Sequence, residues 1–252
     1  MNIFDSWICN KYIAHRGLHD EETPENSLSA FKKAIDAGFA IELDVRPLAD
    51  GTVVVFHDDT LGRMTGKDGF IANFTYDDLK DVKLLKSEEH IPTLKEVLDL
   101  VNGDAPLLIE IKNDNKVGFE KHVWKLLSKY KGEYAIQSFN PYSLEWFKIN
   151  APHVKRGQLS CFFEKDKSEG SSTELGFFKR FALKRMMLNN KVSEPHFISY
   201  KASNIPNKYV KKYSDLPLLV WVIRSANQYN KVKKYCDNII FEGFEPDKDI
   251  II

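Results

Sequence analysis

The 252-residue chain carries no excess of either charge, with 36 lysines and arginines against 36 aspartates and glutamates. With no basic surplus there is no global field to hold a polyanion, so nucleic acid is not an expected partner. Cysteine is scarce. Cys9, Cys161 and Cys236 are odd in number, widely spaced and without a CxxC pair, which excludes both a disulfide framework and a thiolate zinc site and points to a reducing compartment. Long hydrophobic runs are missing too: the longest, LPLLVWVI at 216–223, falls far short of the ~18 residues a membrane-spanning helix needs. The N-terminus, MNIFDSWICNKYIAHRG, lacks a basic n-region and an apolar h-region, and its first strand starts too early to leave room for a cleaved leader. These absences predict a soluble, cytoplasmic protein. No repeat or low-complexity tract divides the chain, and its length suits one α/β domain over residues 1–252.

Strand-like runs lie at Tyr12–His15, Ala40–Val45, Thr52–His57, Pro106–Lys112, Glu133–Ser138, Lys155–Ser160, His196–Tyr200, Leu218–Ile223 and Asn238–Glu242. Helix-like stretches separate most of them, the alternation of a parallel sheet wrapped by helices. Thr23 is expected to cap a helix with Pro24 at its first position and Gly38 at its end. Thr93 and Glu96 form a capping box for another, with Leu94, Val97, Leu98 and Val101 inward. Nine strands are one too many for an eight-stranded barrel. The short gap between the second and third runs resolves this, because a parallel crossover needs about a dozen residues. An antiparallel hairpin with Gly51 in its turn is expected, in a register that sets Glu42 opposite His57. The turn-rich stretch 58–92, with a helical turn capped by Thr75, reads as an insertion at the barrel rim that walls the substrate cleft.

Charged groups sit where strands rarely tolerate them. Glu42 and Asp44 in AIELDV share one face of a strand, as do Glu110 and Lys112 in LLIEIK. Three carboxylates near strand ends make an all-oxygen site for a hard cation. His15 in IAHRG and His57 in VVVFHD supply an acid–base pair, while Arg16 and Lys112 add positive charge for a phosphate. Together they fit cleavage of a phosphodiester at the C-terminal rim of a barrel. A structural ion-pair network of the same carboxylates with Arg16, Arg46 and Lys112 is the competing reading; it leaves the gathering of acids at strand ends unexplained. Arg46 and Asp58 read either as supports for these groups or as solvated rim charges.

At this point the residues resemble a family. IAHRG, TPENS, IELDV, DGTVVVFHDDTLGRMTG, IPTLKEV and IEIK closely resemble the glycerophosphodiester phosphodiesterases, most strongly over residues 12–112. The resemblance implies a TIM-type (β/α)8 barrel with a small insertion after the second-histidine strand. It implies hydrolysis of glycerophosphodiesters to glycerol 3-phosphate and an alcohol, with Mg²⁺ or Ca²⁺ bound. Carried over by position, His15 and His57 are the acid–base pair, Glu42, Asp44 and Glu110 the metal ligands, and Arg16 and Lys112 the phosphate contacts. The family reaction is drawn with a neighbouring glycerol hydroxyl attacking phosphorus and water opening the cyclic phosphate. WVI at 221–223 is similar to the family's late aromatic strand. Trp221 is then an aromatic wall beside the glycerol, against the plainer reading that it fills the core. Where many members end on a Thr-Asp-Xaa-Pro sequence, this chain has IIFEGFEPD, with Glu242 in place of that aspartate.

Two alternatives stand beside this reading: a lysophospholipase D acting on lysolipids, and an inactive barrel that only binds phosphodiesters. The second conflicts with the intact histidine and carboxylate set. The segment GFFKRFALKRMMLNNK at 176–191 has five basic residues, no acid and several aromatics. It reads first as a barrel helix or loop with a solvated basic face, and second as a weak contact with an anionic membrane surface.

Overall fold

The computed structural model describes residues 2–112, 118–162 and 192–246, so the basic aromatic segment 176–191 lies outside the described residues. Among the described residues nine strands form, one at each expected position: β1 (Ile13–Ala14), β2 (Ala40–Pro47), β3 (Val53–Val55), β4 (Leu107–Ile111), β5 (Tyr134–Ser138), β6 (Lys155–Ser160), β7 (Phe197–Lys201), β8 (Leu218–Ile223) and β9 (Asn238–Phe241). The chain groups into two compact units, Ile13–Ala135 and Met1–Tyr12 with Ile136–Ile252.

In the first unit β2 is the central strand. It pairs in parallel with β1, Ala14 against Ile41, and with β4, Ile41 against Leu107 through Val45 against Ile111. β4 is buried throughout and β2 almost throughout, as expected of parallel strands covered on both faces. The helix Leu94–Val101 begins on the expected Thr93–Glu96 capping box and buries Leu94, Val97, Leu98 and Val101. Left-handed Asn102 (φ 44°) and Gly103 (φ 93°) end it.

Two local expectations are corrected. The helix expected to start at Thr23 runs Leu28–Asp36, capped by Ser27, whose hydroxyl accepts the Ala30 N–H at 3.2 Å. Thr23 and Pro24 lie in the loop before it. Asn26 breaks any earlier helix by taking a left-handed conformation (φ 57°), a region asparagine tolerates better than most residues.

The second correction concerns the hairpin. β3 does run antiparallel to β2, but the register is Val45 to Val55, Arg46 to Val54 and Pro47 to Val53. Glu42 is therefore not opposite His57. The Leu48 N–H bonds to the Thr52 carbonyl at 2.9 Å, and Gly51 N–H bonds to Leu48 carbonyl at 3.2 Å, with Gly51 at φ 85°. This is a three-residue loop closed by a left-handed glycine, one residue longer than the tight turn expected. One residue of slip exchanges the strand's faces; β3 ends at Val55, and a last cross-strand bond, Phe56 N–H to the Asp44 carbonyl at 2.9 Å, falls one residue short of the histidine.

Residues 58–92 carry the helical turns Gly62–Thr65 and Tyr76–Leu79, the latter on the expected Thr75 cap. Leu61, Met64, Ile71, Leu79, Leu84 and Ile91 from this stretch bury themselves with Leu48, Val54 and Phe56 of the hairpin. The returning chain pairs along β3, with Val55 N–H on the Pro92 carbonyl at 2.7 Å and a bridge between Val54 and Thr93.

In the second unit β5 to β9 lie side by side in sequence order, and the registers of β6 to β9 are parallel. The helix Pro141–Asn150 opens on an Asn140 cap with proline in its first turn. The Asn238 carboxamide donates to the carbonyls of Ile8 (2.7 Å) and Lys11 (2.8 Å), tying the N-terminal segment to β9. Among the described residues no helix is long and apolar enough to cross a membrane.

Candidate active site

The i, i+2 spacing on β2 and the register of β4 build the centre of the first unit. Asp44 lies directly beside Glu110 in the parallel ladder, and Glu42 shares the Asp44 face. All three are buried, and each offers a carboxylate oxygen within 4.8 Å of the others. Two cations hold this concentration of charge. The Lys112 ammonium lies 2.6 Å from Glu110 Oε1 and 3.2 Å from Asp44 Oδ1. The Arg16 backbone N–H donates to Glu42 Oε2 at 3.0 Å, and its guanidinium Nε lies 3.4 Å from Asp44 Oδ2. The buried Asp44 Oδ1 has no properly directed hydrogen bond, so its lone pairs remain available although Lys112 is close.

That backbone contact depends on a turn after β1. Arg16 (φ 56°) and Gly17 (φ 80°) are both left-handed. A Cβ on Gly17 would sit 2.9 Å from the Ala30 carbonyl carbon, so only glycine fits there without displacement. The same loop sends Asn26 onto Asp44. The Asn26 Nδ2 donates to Asp44 Oδ2 at 2.9 Å, and its Oδ1 accepts the Asp44 backbone N–H at 3.3 Å.

Burial and the neighbouring charges of Asp44 and Glu110 push Glu42 well above the ordinary carboxylate range. Burial, opposed by Lys112 but reinforced by Asp44, raises Glu110 as well. Burial acts on Asp44 in the same direction, but Lys112, His57, Arg16 and His15 together hold it well below that range. Lys112 is raised despite its own desolvation, by Asp44 and Glu110. Such a set prefers a dication over two stray protons, and its all-oxygen donors suit Mg²⁺ or Ca²⁺. The residues present therefore fit a hard divalent ion.

His57 follows β3, its carbonyl held by Arg46 Nε at 2.7 Å and its ring Nδ1 2.7 Å from Asp58 Oδ1. Burial and the positive charge of Lys112 lower it to about 4. The Asp58 carboxylate is itself held far below its usual range, chiefly by the His57 and Arg63 hydrogen bonds working against burial. With Nδ1 as donor to an ionised acid, Nε2 is left as acceptor. His15 comes directly after β1, beside Arg16. Trp221 lies on β8 in the second unit, half-buried and edge-to-face on Phe139, with ring centroids 5.7 Å apart. Its indole N–H is buried without a hydrogen-bond partner among the described residues. Glu242 pairs with Arg224.

Three polar residues with direct roles in this geometry were not singled out by sequence reasoning. Glu25 accepts Arg16 Nη1 at 2.7 Å, Asn26 holds Asp44, and Arg63 of the 58–92 segment pairs with Glu25 and Asp58. Their only signal was position inside TPENS and TLGRMTG, the stretches that carry the resemblance.

Residues 15–241 match the model of the Glycerophosphoryl diester phosphodiesterase family. The chain is 41% identical over 160 residues to a glycerophosphodiester phosphodiesterase of Caldanaerobacter subterraneus subsp. tengcongensis, a match covering 58% of this chain and 65% of that relative. Its fold resembles that of an Oleispira antarctica phosphodiesterase solved in complex with the product sn-glycerol-3-phosphate, with TM-score 0.75, 23% identity and 93% of each chain covered. It also resembles the Thermotoga maritima glycerophosphodiester phosphodiesterase, with TM-score 0.69, 27% identity, and 92% of this chain and 94% of that one covered. The fold is thus α/β, an eight-stranded parallel barrel of the TIM type, with β3 as the ninth, antiparallel strand.

Proposed function

Because this chain belongs to the glycerophosphoryl diester phosphodiesterase family, we propose that it hydrolyses glycerophosphodiesters to glycerol 3-phosphate and an alcohol with the help of a bound divalent cation. One observation carries the reading beyond the match itself. Three carboxylates lie buried within reach of one ion, framed by Lys112 and Arg16, in the unit that also holds His15 and His57. A network kept only for stability gains little from burying three acids together, because desolvation and mutual repulsion oppose it.

Glu42, Asp44 and Glu110 would hold Mg²⁺ or Ca²⁺, and the ion when bound neutralises charge on the phosphate. Arg16 and Lys112 face the same anion. His57, neutral at pH 7 with Nε2 open, takes the proton of the attacking hydroxyl, and His15 gives one to the departing alkoxide. The nucleophile in the first step is the adjacent glycerol hydroxyl; water opens the resulting cyclic phosphate with the roles reversed. By the family resemblance, Trp221 is assigned to the glycerol as an aromatic wall. The chain acts as one catalytic barrel domain over residues 1–252, with 58–92 as an insertion. It works in the cytoplasm, a reducing compartment that suits three widely spaced cysteines with no CxxC pair.

Phosphorus NMR of the purified protein with glycerophosphocholine, first in EDTA and then with Mg²⁺ or Ca²⁺, tests this. Cation-dependent formation of glycerol 3-phosphate is expected. Absence of conversion of glycerophosphocholine and of long-chain lysolipids with either ion would refute it.

A further inference from the structure

We propose that Arg63, from the 58–92 segment, is a positioning residue that aligns the proton-transfer histidine His57 and the phosphate contact Arg16 at once. The inference rests on the roles given to those two residues above. The guanidinium forms two separate forks. Nη1 and Nη2 donate to Glu25 Oε2 and Oε1 at 2.9 and 2.7 Å. Nε and Nη2 donate to Asp58 Oδ2 and Oδ1 at 2.6 and 3.1 Å. Each acid then passes the constraint on. Glu25 Oε1 also accepts Arg16 Nη1 at 2.7 Å, and Asp58 Oδ1 lies 2.7 Å from His57 Nδ1. The result is an unbroken chain of contacts, Arg16–Glu25–Arg63–Asp58–His57, in which charge alternates from the phosphate-facing guanidinium to Asp58 and ends on the neutral acid–base ring.

Two features separate this chain of contacts from an incidental surface pair. Arg63 sits between Leu61 and Met64, both buried in the hydrophobic cluster of the segment, so its backbone is fixed while its side chain stays 47% exposed. Two bidentate pairs on adjacent edges also require a planar, five-donor group. An ammonium can touch two acids through single contacts, as Lys112 does, but cannot form either fork. Without Arg63, Glu25 and Asp58 would be two carboxylates with one partner each, free to rotate away from Arg16 and from the His57 ring.

The test compares Arg63→Ala and Arg63→Lys with wild type in the full-length protein. Turnover of glycerophosphocholine, melting temperature and the ¹⁵N spectrum of the His57 ring are read together. Loss of an outer partner of this kind costs on the order of 10–100-fold in activity. We expect that loss in kcat for both variants, at near wild-type melting temperature. Guanidinium at millimolar concentration should restore the alanine variant and leave the lysine variant impaired. The His57 ring should move from a single Nδ1–H tautomer to a mixture. Wild-type kcat in Arg63→Ala, full activity in Arg63→Lys, or a loss that follows melting temperature and ignores guanidinium would each overturn the proposal. The ring spectrum needs no turnover. If wild type proved inactive the reaction assignment would fall alone, and an unchanged tautomer in Arg63→Ala would overturn the positioning role by itself.

Discussion

Asn26 holds Asp44 from both ends, donating to its carboxylate at 2.9 Å and accepting its backbone N–H at 3.3 Å. The contact fixes the carboxylate's rotation on a strand whose neighbours are two further acids. An Asn26→Ala change removes both bonds without touching a charge. It should weaken cation binding by ~10–100-fold, the usual cost of losing an outer partner of a metal ligand. Titration of the purified variant with Mg²⁺ or Ca²⁺ by calorimetry reads this directly, and an unchanged affinity would show that Asp44 needs no such support.

Cation binding should also stabilise the fold. A ligand that binds only the native state adds RT ln(1 + [L]/Kd), about 2.7 kcal/mol at a hundredfold excess over Kd. The melting temperature should therefore rise with added Mg²⁺ or Ca²⁺ in wild type and rise little in Glu42→Gln or Asp44→Asn. Excess cation should partly restore activity in both variants. Equal shifts in wild type and variants would place the ion elsewhere.

The histidines should behave differently from the carboxylates. His15→Ala and His57→Ala should each lower turnover by ~10² or more, the range for loss of general acid–base catalysis, and excess cation should rescue neither. Steady-state assays on folded variants decide it; near-normal rates in both would end the proposed mechanism.

A third histidine supplies a pH prediction away from the site. Burial, with the nearby charges of Arg156 and Lys155, lowers His196 to about 4. Its Nδ1 accepts the Arg156 backbone N–H at 3.2 Å, which only the neutral ring can do. An unfolded histidine titrates near 6.5. Above that value neither state holds the proton. As pH falls from about 6.5 toward 4, the unfolded chain takes up a proton that the folded one refuses, so stability present above 6.5 is progressively lost. The urea midpoint of wild type should fall between pH 7 and pH 5, and that of His196→Asn should fall less. Parallel losses would mean that this ring is not linked to folding.

Much of this geometry was legible in the sequence, for physical reasons. A side-chain period of two places Glu42 with Asp44 and Glu110 with Lys112 whatever the exact pairing, and the structure gathers these four with Arg16. The Thr93–Glu96 box identified its helix because both partners are local. What failed depended on the conformation of single residues. Whether Gly51 closes a two- or a three-residue loop changes the register by one, and a left-handed Asn26 moves a helix start from Thr23 to Ser27. Glu25 and Arg63 follow no periodicity. Their importance comes from contact between residues 38 positions apart, which no local pattern encodes.

The cover that residues 58–92 place over the hairpin has a consequence for how the protein can change. Leu48, Val54 and Phe56 turn their side chains into that segment's cluster, and the outer backbone of β3 is paired by Pro92 and Thr93. Deleting the segment would uncover an apolar patch beside an open strand edge, the combination that recruits other chains into aggregates. Ordinary surface loops drift in length at little cost. This one is held to its size by solubility as well as by chemistry, so descendants of this chain should vary it by substitution on its outer face and seldom by shortening.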